Sequence, residues 1–174
     1  DKGIEDLEQA SQVRPDDISI TEALYTIHSR KAERAKLSRR DDLASESFAT
    51  AHEVVAQFAQ ANPDNIAAQF LLLRADIDKA LRGLESKELF GPELSRARQR
   101  TLAEFEDRTR TLAEEAATAE PAQLNGRTMN VITSVIVSVL TEDAGEALEK
   151  VWDRASENTE ADRSLQFAHG QFLR

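Results

Sequence analysis

Four prolines punctuate this chain: Pro15 in VRPDD, Pro63 in ANPDN, Pro92 in FGPEL and Pro121 in AEPAQ, each where an apolar stripe ends or begins. Proline lacks the backbone N–H, and its ring clashes with the carbonyl one turn back, so it closes one helix or opens the next. Six glycines in 174 residues leave few other breaks. Ala, Glu, Leu, Gln and Arg dominate and favour helix. The pattern predicts an all-α chain.

The apolar spacing places the helices. Ile4, Leu7 and Ala10 share one face of a first helix over Gly3–Val13. Asp16 or Asp17 is placed to cap a second helix, which carries Ile20, Leu24, Ile27 and Ala35 and ends in the basic run SRKAERAKLSRR. Asp41 or Asp42 is placed to cap a third, which turns Phe48, Ala51, Val55, Phe58 and Ala59 inward before Asn62 and Pro63 stop it. A fourth presents Ile66, Phe70, Leu73, Ile77 and Leu81, and Leu71 and Leu72 widen its stripe enough for contact on two sides. After the loop ESKELFGPEL, Pro92 opens a long helix with a seam of Leu102, Phe105, Thr109, Leu112 and Ala116.

TMNVITSVIVSVLTED is rich in strand formers. Its sixteen residues exceed an ordinary strand, no other strand is available to pair with it, and Met129, Ile132, Ile136 and Leu140 fall at helical spacing. Helix is the expectation. A short helix with Leu148, Val151, Trp152 and Ala155 inward follows, and ADRSLQFAHGQFLR begins one more.

With 40% hydrophobic and 31% charged residues the composition is that of a soluble globular domain. Lys and Arg number 22 against 32 Asp and Glu, and the net charge of −10 disfavours nucleic acid as a partner. Without cysteine there is no disulfide, thiolate nucleophile or Cys metal site. That absence suits a cytoplasm and a periplasm equally, so the compartment stays open. No segment approaches the roughly eighteen consecutive apolar residues of a membrane span. The opening DKGIEDLEQA has neither an initiator Met nor the layout of a signal peptide, so residues 1–174 read as a single domain of a longer chain.

Three helix ends share one register: Gly3, Leu7, Ala10, Pro15; then Ala51, Val55, Phe58, Pro63; then Thr109, Ala113, Ala116, Pro121. Leu148, Trp152, Ala155 and Glu160 give a fourth copy without the proline. A small residue early in the second helix of a pair lets two backbones approach, the next position fills the groove, and the proline forces the turn. This register resembles the second helices of the tetratricopeptide repeat family, and GIEDLEQASQVRPDD is its best copy. First-helix positions follow the family in part: Leu24 and Leu72 are apolar as expected, Tyr25 and Leu73 replace a small residue, and Gly170 and Leu173 are in register. The prolines of this register, Pro15, Pro63 and Pro121, lie 48 and 58 residues apart, against a regular repeat of about 34, so the hairpins are longer than standard.

The resemblance implies antiparallel helical hairpins stacked as a right-handed α-solenoid of about seven or eight helices. It also implies a non-catalytic scaffold whose first helices line a concave groove that holds a peptide or a partner protein. Glu22, Thr26 and Ser29 of one first helix and Asn65, Phe70 and Arg74 of the next would then face that groove. The rival architecture is a compact helical bundle that dimerises or binds a small ligand inside. Leu165, Phe167 and Phe172, on an uncapped terminal helix, would favour self-association.

Nothing in the sequence points to an enzyme, a cofactor or a metal. His28, His52 and His169 are far apart and have no HExxH context. GxGxxG, GxxxxGK[ST] and GxSxG are missing. Glu104 with Asp107, and Glu114 with Glu115, sit among arginines and read as solvated charge. The basic run Arg30, Lys31, Arg34, Lys36, Arg39 and Arg40 has the chemistry to grip phosphate or an acidic peptide, but a helix C-terminus favours cations in any case. Trp152 and the phenylalanines read as core.

Overall fold

The structure, a computed structural model, describes residues 2–84, 87 and 89–157. Every regular element among them is helical: α1 Lys2–Val13, α2 Ile18–Leu37, α3 Asp41–Ala61, α4 Ile66–Arg82, α5 Gly91–Ala103, α6 Glu106–Thr118, α7 Gly126–Leu140 and α8 Ala144–Ser156. Short 3-10 turns stand at Pro121–Gln123 and Thr141–Asp143. None of these helices is long and apolar enough to cross a membrane. The chain divides into two compact units, the first ending at Asp64 and the second beginning at Asn65.

In the first unit α2 and α3 form a hairpin and α1 packs against α2. Asp17 caps α2, its side chain accepting from the Ser19 N–H at 2.9 Å. Leu24, Ala32, Ala35, Ala51 and Val55 are buried in this unit. The α2–α3 corner is closed by two backbone bonds of 2.9 Å, from the Arg39 N–H to the Lys36 carbonyl and from the Arg40 N–H to the Ala35 carbonyl. Arg39 lies in the left-handed region with φ 55°, so this is a Schellman turn with arginine where glycine is usual. That geometry displaces the expected aspartate cap: Arg40 is the N-cap of α3 and makes no side-chain cap bond, while Asp41 and Asp42 fall in the first helical turn. There they still favour the helix through its dipole. α1 differs from expectation too. None of its side chains is buried, and Ile4, Leu7 and Ala10 are half-buried.

In the second unit α4 is the broadly buried helix the wide stripe predicts. It hides Ile66, Phe70, Leu71, Leu73 and Ile77 and packs against α5, α6 and α7. α7 is helical throughout, with Met129, Ile132 and Ile136 fully buried, and Asn125 caps it by accepting from the N–H groups of Arg127 and Thr128 at 3.1 Å. At about 1.5–3 kcal/mol per large apolar side chain, burial of these residues overrides the strand preference of their Val, Ile and Thr content.

The predicted long helix after Pro92 is two helices. The Phe105 N–H bonds only three residues back, to the Leu102 carbonyl at 2.9 Å, and the Phe105 carbonyl then accepts both the N–H and the hydroxyl of Thr109, at 2.9 and 2.8 Å. A tightened turn at Glu104 and Phe105 thus separates α5 from α6. The seam shifts accordingly. Leu102 and Phe105 are half-buried, whereas Thr109, Leu112, Ala113 and Ala116 are buried on α6. α8 buries Leu148, Val151, Trp152 and Ala155, as its spacing predicts. The expected terminal helix, with Leu165, Phe167, His169, Gly170, Phe172 and Leu173, lies outside the described residues.

Candidate functional site

The six groove residues predicted from the repeat register fall in both units. Glu22, Thr26 and Ser29 run along one half-buried face of α2 in the first unit. In the second, two of the three are occupied with structure. Phe70 is fully buried in the α4 core, so its ring serves packing rather than a partner surface. The Asn65 side chain accepts from the Ala68 N–H at 3.2 Å and caps α4; an asparagine just before an apolar run is also the signal for a cap.

Arg74 is half-buried and lines a cleft of about 540 Å³ formed by α4, α5 and α7. Asp78 stands one turn beyond it on α4, and Ser134 and Ser138 stand one turn apart on α7. This puts polar groups along two neighbouring helices at i, i+4 spacing. Ile77 and Val135 form the apolar floor and Arg98 enters from α5. The repeat register picks out Arg74 alone among these; Ile77, Asp78 and Leu81 share α4 with it, and the rest of the lining comes from α5 and α7, far away in the chain.

The first unit has a cleft of its own, of about 590 Å³, between the start of α1, the second half of α2 and the start of α3. Four members of the basic run, Arg30, Lys31, Arg34 and Arg40, line it, and Lys2 joins them from α1. Lys36 and Arg39 do not line it. The run of six cations therefore splits into a converging set and an outward set, a division fixed by helix phase and by the turn at Arg39.

His28 lies one turn before Ala32 on α2 and is buried, with no hydrogen-bond partner for Nε2 among the described residues. Burial, and then the nearby Lys31 charge, hold its pKa below the ordinary value, against a weaker opposing pull from Glu8. It is a neutral core histidine. His52 is half-buried on α3. Glu104, Asp107, Glu114 and Glu115 are all exposed, as expected of solvated charge. On the surface of the second unit Arg110 pairs with Asp143, and Lys150 pairs with Glu146 at 2.8 Å. The hydrogen bond with Lys150 lowers the Glu146 pKa, and the same bond raises that of Lys150. Among the described residues no group of three or more His, Asp or Glu side chains is placed to hold a metal ion.

Comparison of the chain with protein-family models, with curated proteins and with solved structures finds no match.

Proposed function

We propose that this chain is a non-catalytic interaction module of stacked, tetratricopeptide-like helical hairpins that binds a peptide or a helix of a partner protein. The observation that carries the reading is the neighbour pattern of the second unit: α4 packs beside α7, and α6 packs beside α8. First helices adjoining first helices, and second helices adjoining second helices, is the arrangement that stacking of hairpins produces. Burial of Thr109, Ala113 and Ala116, and of Ala155, supports it, because small side chains at the repeat register permit close approach of the second helices.

In this reading the partner lies along the first helices. The cleft lined by Arg74, Asp78, Ser134 and Ser138 supplies paired polar contacts over an apolar floor, the combination that peptide-binding grooves use. Selection of random peptides displayed on phage against the wild-type chain tests it. The selected peptides should lose about tenfold or more affinity on Arg74→Glu or Ser138→Arg. Glu149→Lys, on the exposed face of α8, should leave them unaffected. Failure to enrich any peptide, or binders indifferent to both cleft substitutions, would overturn the proposal.

A further inference from the structure

We propose that the cationic cleft of the first unit binds an acidic segment of a partner protein in which carboxylates are interleaved with apolar side chains. The inference begins with charge. In a chain whose acids outnumber its bases 32 to 22, Lys2, Arg30, Lys31, Arg34 and Arg40 converge on one cleft that no carboxylate among the described residues lines. Asp41 and Asp42 follow Arg40 on the first turn of α3, and Glu33 lies on α2, yet none of the three faces the cleft. Glu5 and Glu8 on α1 are exposed and do not line it either.

The cluster carries its own positive potential. Among the described residues none of the five cations makes an ion pair with a carboxylate, although Arg14, Arg108, Arg110, Lys150 and Arg154 elsewhere each do. Like charges held together at a helix end repel one another, and a multivalent anion relieves that repulsion at several points at once. The dipole at the end of α2 explains cations near that end, but it does not explain Lys2 and Arg40, which come from other elements.

The lining also sets the ligand class. Ile4, Ile27 and Leu43 share the cleft with the cations, and its volume is in the range of about 300–1,000 Å³ that small-ligand sites occupy. A purely hydrophilic polyphosphate leaves that apolar wall uncovered. A peptide that alternates Asp or Glu with Leu or Ile covers the wall and answers the arginine forks with carboxylates. The idea rests on the partner-binding reading only in taking the partner to be a protein, since the cleft lies wholly within residues 2–43.

The probe is a fluorescent peptide of about twelve residues alternating Glu with Leu, followed by anisotropy on the full chain, beside a Gln–Leu peptide and inositol hexakisphosphate. The acidic peptide should bind at least about tenfold more tightly than the neutral one, weaken with added salt, and lose about tenfold or more on Arg30→Glu or Arg34→Glu. Arg39→Glu, from the same basic run but outside the cleft, should leave affinity within about twofold, as should Arg74→Glu. Arg30 and Arg34 are exposed, so circular dichroism should show both charge-reversed chains folded. Equal binding of the two peptides, equal loss on Arg39→Glu or Arg74→Glu, or displacement of the peptide by tighter-binding inositol hexakisphosphate would each overturn the proposal. Phage-selected peptides that bind through Arg74 should be untouched by Arg34→Glu, which separates failure here from failure of the groove.

Discussion

The Arg154 Nε donates to the backbone carbonyl of Ala119 at 2.7 Å, fastening the last turn of α8 to the C-cap residue of α6. The final carbonyls of a helix have no partner within it, and a charged donor at that point satisfies one of them. Arg154 also pairs with Glu157, the C-cap residue of its own helix, where both side chains are partly exposed.

Arg154→Ala should therefore cost about 1–2 kcal/mol in urea unfolding, because it leaves the carbonyl without its charged donor. Glu157→Ala should stay within about 0.5 kcal/mol, the scale of a surface ion pair. Equal costs for the two would mean that the ion pair, and not the tie to Ala119, is what Arg154 supplies.

The α2–α3 corner offers the opposite outcome, a substitution that stabilises. Arg39 sits at φ 55°, a conformation that costs an L-residue about 1–2 kcal/mol and glycine little. The extra freedom of glycine in the unfolded chain offsets part of that, by about 0.4–1 kcal/mol. Arg39→Gly should thus raise stability by about 0.5–1 kcal/mol, and Arg39→Ile should lower it. A calorimetric melt of each variant reads the sign directly.

His28 gives a pH signature. Its folded-state pKa is lowered from the ordinary 6.5, first by burial and then by Lys31. The unfolded chain therefore binds a proton that the folded chain refuses. Stability is fully retained above about pH 6.5 and declines as pH falls through the window below it, levelling off once the folded histidine is protonated too. His28→Gln should flatten the change in urea midpoint across that window. Lys31→Gln should raise the His28 pKa in an NMR titration without restoring the ordinary value, because burial is the larger cause.

Helix existence is readable from local spacing, since Ile20, Leu24 and Ala35, or Leu148, Val151 and Ala155, need only a 3.6-residue period to be placed. The strand-like α7 is also legible, because its length and lack of a partner strand outweigh its composition. The break at Phe105 is not, since it depends on a tightened turn at Glu104 and Phe105 and on the neighbours of α6. Nor is the Schellman turn at Arg39, because the glycine that normally marks it is missing. Asn65 shows a different loss: the repeat register says nothing of the cap it forms on α4, which the local rule for an asparagine before an apolar run does. The clefts are the least legible part. Lys2 with Arg34, or Arg74 with Ser138, are brought together by tertiary packing that a one-dimensional pattern does not encode.

One wall of the cationic cleft comes from α1, which contributes no buried side chain. A helix anchored so lightly detaches at a free energy well below that of global unfolding, so its amides should exchange with solvent sooner than those of α2 and α3. Each detachment dismantles the wall that holds Lys2 and Ile4. Occupancy of that cleft is then inseparable from the ordering of the first twelve-residue helix, and whatever fixes α1 in place sets how tightly the acidic segment is gripped.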